Sequence, residues 1–167
     1  MQLYLIRHGL AADGGADEAR PLTDEGRARI AEEAAALRRL GAQFDRLLHS
    51  PLLRAAQTAD ALAELVLGKS SPTPQLALAP SDELLAELRG ECVALVGHEP
   101  WLSELAAWLV TGERRLGPRF AIEKGGVALL EGEPRPLGMA LAAFLPPDAL
   151  LAIGRLRTES GQLPPDS

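Results

Sequence analysis

The 167-residue chain has one cysteine and only 4% aromatic residues. A single cysteine excludes a disulfide framework and a cysteine-based zinc site. So few aromatics leave the core to leucine, alanine and valine, within a hydrophobic fraction of 47% that is ordinary for a globular chain. A basic surplus is missing too: 17 Lys and Arg stand against 23 Asp and Glu, a net charge of −6. That argues against a nucleic-acid partner held by bulk charge, although a local positive pocket remains open. No apolar run reaches the length of a membrane span, so no membrane partner is expected. The first residues read as a strand without a signal-peptide pattern, which points to a cytoplasmic location. The three histidines have neither HxH nor HxxxH spacing, so no metal is expected.

What is present alternates between strand and helix. Residues 2–7 read as a buried strand, and a Gly-rich loop follows through Asp13-Gly14-Gly15. Thr23 is placed to cap a helix over 24–40, stopped by Gly41. Residues 45–49 predict a second strand, followed by Ser50 as N-cap, Pro51 at the first helical position and a helix to about Leu67. A loop over 69–74, a strand over 75–78 and a helix over 81–89 come next. Residues 92–97 predict another buried strand, and Pro100 opens a helix that ends near Gly112. Two late strands, over 127–130 and 139–144, precede a helix over 148–156. The pattern implies one domain over 1–156, a flexible tail over 157–167, and an α/β fold: a three-layer α/β/α sandwich with a mostly parallel central sheet.

In such sheets ligands bind beyond the carboxyl ends of the strands. All three histidines stand there: His8 after Arg7, His49 before Ser50, and His98 after Gly97. Arg54 adds a cation near the start of the following helix, where it opposes the helix dipole unless an anion compensates. Arginines, histidines and two helix N-termini converging on one small volume point to a strongly charged anion, and phosphate fits best.

The motifs then resemble a known family. RHG at 7–9, SPLLRAAQTA at 50–59 and VGHEP at 96–100, in that order, resemble the histidine phosphatase superfamily, which includes the phosphoglycerate mutases. RPLT at 20–23 and FAIEKGG at 120–126 are similar to its small SixA-type branch of phosphohistidine phosphatases. The resemblance implies a phosphoglycerate mutase-like fold and a covalent route without a cofactor. In it His8 is the nucleophile, Arg7 and Arg54 bind the phosphoryl oxygens, and His98 completes the pocket. Gly9 leaves the backbone accessible beside the nucleophile, and Ser50 and Trp101 line the phosphate or substrate side. Arg20 is either an accessory phosphate contact or a loop-fixing ion pair.

One departure from the family pattern is chemical. The carboxylic acid that protonates the leaving group in most members aligns here with Ala77-Leu78. Asp82 and Glu83 are the nearby substitutes, and both are also well placed simply to begin a helix. Without a dedicated acid, an alkyl alcohol leaves poorly, whereas the ring of a phosphohistidine takes its proton from solvent and leaves as imidazole. The expected function is therefore removal of phosphate from phosphohistidine on a protein of the histidine phosphotransfer type. The alternatives are a small-molecule or sugar-phosphate phosphatase using the same histidine, and a non-catalytic phosphate-binding module. Bland roles are expected for His49 (peripheral), Cys92 and Trp108 (core) and Glu113-Arg114-Arg115 (a solvated helix exit).

Overall fold

The computed structural model describes residues 1–156, so the tail expected over 157–167 lies outside the described residues. Its six strands are β1 (Gln2–Arg7), β2 (Phe44–His49), β3 (Val66–Pro72), β4 (Cys92–Gly97), β5 (Val127–Gly132) and β6 (Met139–Leu145). They form one sheet in the order β3-β2-β4-β1-β5-β6. The first four run parallel, and β5 is antiparallel to both β1 and β6.

Period-two alternation sorts the core into two layers. Leu3, Leu5, Val93 and Leu95 face one side, where they meet α3 (Asp82–Glu87) through Leu84 and α4 (Trp101–Thr111) through Leu102 and Leu105. Tyr4, Ile6, Ala94 and Val96 face the other. There α1 (Asp24–Arg39), α2 (Leu53–Ala61) and α5 (Pro147–Arg155) bring Leu37, Ala55 and Leu150. This is the expected three-layer sandwich with a mostly parallel sheet.

The local signals for α1 hold: Thr23 Oγ1 accepts the Gly26 amide at 2.9 Å, and Gly41 takes the left-handed φ of 79° that ends the helix. The segment after β2 differs from expectation. Its helix begins at Leu53 rather than at Pro51, with Leu52 as a cap that offers no side-chain bond. It stops at Ala61, and Val66–Pro72, expected as helix end and loop, becomes the edge strand β3. Gly68 permits that pairing, because a Cβ there would lie 2.0 Å from the Asp45 carbonyl oxygen. The strand expected over 75–78 is a 3-10 turn, Pro74–Ala77, started by Thr73 Oγ1 accepting the Gln75 amide. Residues Arg114–Phe120, beyond α4, form a 3-10 segment that sequence reading missed. Arg114 is not a purely solvated exit: its guanidinium lies 3.9 Å from the centre of the Trp108 ring.

Strands β1, β2 and β4 are contiguous and parallel, so their exits share one edge of the sheet. Arg7 pairs with Gly97 and His49 with Val96 in the ladder. The fold therefore gathers the ends of all three motifs at one rim.

Candidate active site

The ladder between β1 and β4 continues one step past the strands. The His8 amide donates to the Gly97 carbonyl at 3.1 Å. The His8 and His98 rings then stand with centres 5.0 Å apart, tilted by 53°. His8, Arg54 and His98 are 6%, 7% and 7% exposed, low enough for each to feel the others' charge.

Hydrogen bonds fix the His8 ring. Nδ1 lies 2.7 Å from the Gly9 carbonyl oxygen, which can only accept, so Nδ1 carries the proton. Nε2 is left with its lone pair and accepts from Arg54 Nε at 3.2 Å. Burial pushes the His8 imidazole down to about 3, aided by His98, Arg54 and Arg7 and opposed by the Gly9 hydrogen bond. Burial likewise lowers His98 to about 4, with Arg54 and Arg7 adding to the effect and Asp17 opposing it. At neutral pH both rings are uncharged, and His8 Nε2 is an unprotonated nucleophilic nitrogen held in one tautomer.

Arg7 is clamped by its backbone and its side chain. Its amide donates to Gly126, its carbonyl accepts from Gly125, and Nη1 donates to the Ile122 carbonyl at 2.8 Å. Among the described residues its Nε is buried with no partner, and so are both ring nitrogens of His98. Arg7 Nε and the one N–H of the neutral His98 ring are thus two donors at neighbouring strand exits that an oxyanion would satisfy.

Arg54 is the second residue of α2, at the positive end of the helix dipole. A residue that sequence reasoning missed offsets this placement. Asp17 accepts from Arg54 Nη1 through its backbone oxygen at 2.6 Å and from Nη2 through Oδ2 at 3.0 Å. The Arg54 hydrogen bond holds the Asp17 carboxyl below its usual range. The only local signal for Asp17 was its i,i+3 spacing to Arg20.

The remaining sequence candidates fall into different places. Arg20 donates to the Ala12 carbonyl at 2.7 Å and to Asp17 Oδ1 at 3.2 Å, which is the loop-fixing alternative. Gly9 does not offer open backbone: its amide donates to Thr58 Oγ1 at 3.2 Å, and a Cβ would lie 2.6 Å from Ile30 Cγ1. Ser50 is fully buried and, instead of capping α2, accepts the Leu52 amide at 3.4 Å to shape the turn before it. Trp101 is half-buried at the first residue of α4. His49 turns its Nδ1 to the Ser50 carbonyl at 2.9 Å. Asp82 and Glu83 occupy the first turn of α3, which Ser81 caps, and neither is hydrogen-bonded to the histidines or arginines above. The Ser81 hydroxyl holds the Glu83 carboxyl below its usual range, the wrong direction for a proton donor. Among the described residues no cluster of three or more His, Cys, Asp or Glu side chains is arranged to hold a metal ion.

Glu99, unassigned in the VGHEP motif, also has a defined place. Its Oε1 accepts the Ile122 amide at 2.9 Å, and Oε2 accepts from the Ser103 hydroxyl. Ile122 is the residue whose carbonyl receives Arg7, so Glu99 ties the His98 turn to the Arg7 anchor.

Known proteins carry related chains. The family model of the histidine phosphatase superfamily (branch 1) matches residues 3–77. An uncharacterized protein of Picosynechococcus is 41% identical over 76% of this chain and 82% of its own. Phosphohistidine phosphatase SixA of Escherichia coli is 33% identical over 68% of this chain and 76% of its own. The structure of the protein histidine phosphatase SixA complexed with tungstate superposes with a TM-score of 0.74. It is 26% identical and covers 90% of this chain and 99% of its own. A phosphoserine phosphatase of Entamoeba histolytica, with a TM-score of 0.70 and 18% identity over 90% of this chain and 99% of its own, shares the fold.

Proposed function

Because the chain belongs to the histidine phosphatase superfamily, we propose that this phosphatase removes phosphate from phosphohistidine on a protein, through a phosphoryl group carried transiently on His8. The observation that carries the reading is the state of the His8 ring. Its proton is committed to Gly9, and its Nε2 carries no proton and accepts from Arg54 Nε.

In this reading His8 Nε2 attacks phosphorus in line, and the leaving group departs on the opposite side. Arg54 Nε loses its acceptor when Nε2 is phosphorylated and turns to a phosphoryl oxygen. Arg7 Nε and the His98 ring, without partners among the described residues, supply further contacts to the spread charge of the transition state. Water then attacks the phosphorylated His8 and releases phosphate.

Two features favour phosphohistidine over a small phosphate ester. The interval between Arg54 and His98 holds the rest of α2, two short 3-10 turns, β3, α3 and β4, with no inserted lid among the described residues. Asp82 and Glu83 begin α3 and make no hydrogen bond to the histidines and arginines of the site, which gives no support to either as a donor for an alkoxide. The test is phosphate release from a histidine-phosphorylated peptide, run beside sugar phosphates and a phosphoserine peptide, with wild type and His8→Ala. Turnover of the histidine-phosphorylated peptide that disappears in His8→Ala is the expected result. Turnover confined to sugar phosphates or phosphoserine overturns the substrate assignment but keeps the phosphatase. No turnover of any substrate, with phosphate still bound, leaves a binding module.

A further inference from the structure

Asp17 lies at the outer end of a guanidinium whose inner end touches the attacking nitrogen. Arg54 Nε reaches His8 Nε2 at 3.2 Å, while Nη1 and Nη2 reach Asp17 at 2.6 and 3.0 Å. Arg54 thus spans the space between nucleophile and carboxylate. A phosphoryl group lying along it, attacked from the His8 side, directs its leaving group toward Asp17. The Asp17 side chain is 61% exposed, so lone pairs remain for a substrate although Oδ1 already meets Arg20 and Oδ2 meets Arg54. Two guanidinium neighbours keep this carboxyl ionised, which unsuits it as a proton donor.

We propose that Asp17 is a specificity-determining residue that selects a leaving imidazole over a leaving alkoxide. The proposal rests on the phosphohistidine reading above. In the step it serves, the free ring nitrogen of the substrate phosphohistidine takes a proton from solvent, and the resulting N–H donates to the Asp17 carboxylate. His8 Nε2 then bonds to phosphorus as the substrate P–N bond breaks. The electron pair of that bond returns to the departing nitrogen, and the ring leaves as neutral imidazole, keeping its proton. A fixed negative charge at this point raises the fraction of substrate that is protonated. An ester leaving group instead builds negative charge on oxygen beside the same carboxylate, which disfavours it. The site thereby meets the lack of a placed general acid with an anion that suits one leaving-group class.

Asp17→Asn tests this, because it removes the charge while leaving the backbone bond to Arg54 in place. We measure kcat/KM on a histidine-phosphorylated peptide and on p-nitrophenyl phosphate, and inhibition by inorganic phosphate as a separate report on Arg54. The ratio of phosphohistidine to aryl-phosphate turnover is expected to fall about tenfold, the scale of one charge-assisted hydrogen bond. The phosphohistidine rate of the variant should also begin to decline at a lower pH than that of wild type as pH rises. An equal fall on both substrates overturns the proposal in favour of a purely positioning role on Arg54. An equal rise with tighter phosphate inhibition overturns it in favour of a carboxylate that merely competes with substrate. Asp17→Glu, which keeps the charge, should retain the substrate ratio even where the Asn variant folds poorly, and a tenfold fall there counts against the proposal. Wild type that never releases phosphate from phosphohistidine defeats the underlying reading instead, a result distinct from an unchanged ratio.

Discussion

His8 and His98 face each other with ring centres 5.0 Å apart although 90 residues separate them in the chain. Their closeness follows from the register of β1 on β4, in which Arg7 opposes Gly97, so each histidine is the first residue beyond its strand. Both rings are driven neutral by the same burial, with the arginine charges adding to it.

That neutrality has a kinetic consequence. With His8 near 3 and His98 near 4, no enzyme group in the pair takes up a proton between pH 7 and about 5. The kcat/KM profile on p-nitrophenyl phosphate, corrected for the substrate's own titration, should stay level across that interval and fall only below it. A limb near pH 6.5 would show that His8 titrates as an ordinary histidine.

The same shifts act on stability. A histidine depressed in the folded state contributes stability that is fully present above its ordinary value near 6.5 and is lost as pH falls toward 4, because only the unfolded chain takes up the proton in that window. Replacing both rings, His8→Phe with His98→Phe, should flatten the fall in Tm between pH 6.5 and 4. An unchanged slope sinks the prediction.

Glu33 runs the opposite way. It is 3% exposed, its Oε2 has no partner among the described residues, and burial raises it to about 8 against the pull of Arg29. The neutral acid is tolerated, and stability is lost as pH rises from about 4.5 through 8. Glu33→Gln should therefore gain Tm relative to wild type as pH rises across that interval. A constant difference between pH 5 and 9 would exclude the buried acid as its cause.

Glu99 should act on the phosphate site through Arg7. Glu99→Ala frees the Ile122 amide and loosens the carbonyl that holds Arg7 Nη1. We expect kcat/KM to fall about tenfold with weakened phosphate inhibition, the scale of a lost charge-assisted bond. Glu99→Gln keeps an acceptor oxygen and should recover most of the loss. Equal damage from both variants would mean that the charge itself matters.

Gly9 is needed for packing against α1. A Cβ would press on Ile30 Cγ1, so Gly9→Ala should cost about 1–3 kcal/mol in urea unfolding. In an Ile30→Ala background, which lacks Cγ1, the same Gly9→Ala change should cost less. An equal cost in both backgrounds would place the strain elsewhere.

Much of this protein follows from local chemistry. Alternating apolar residues in β1 and β4, the Thr23 cap and the Gly41 stop need nothing distant, and they specify a sandwich whose rim carries RHG and VGHEP. The edge strand β3 was not legible, because polar Lys69, Ser70 and Ser71 form it only when β2 supplies partners and Gly68 admits the Asp45 carbonyl. Asp17 was hidden for a similar reason: its meaning lies in the Arg54 guanidinium 37 residues away. Glu99 reaches Ile122, and Thr58 receives the Gly9 amide, across comparable gaps. Residue type and short-range periodicity are enough to fix which residues carry charge and lone pairs, and the strand ends on which most of them stand. Long-range contacts were needed to set which nitrogen of His8 lacks its proton, which donors of Arg7 are spent, and which carboxylate meets Arg54. Those outcomes depend on hydrogen bonds a few ångströms long between segments that no local pattern brings together.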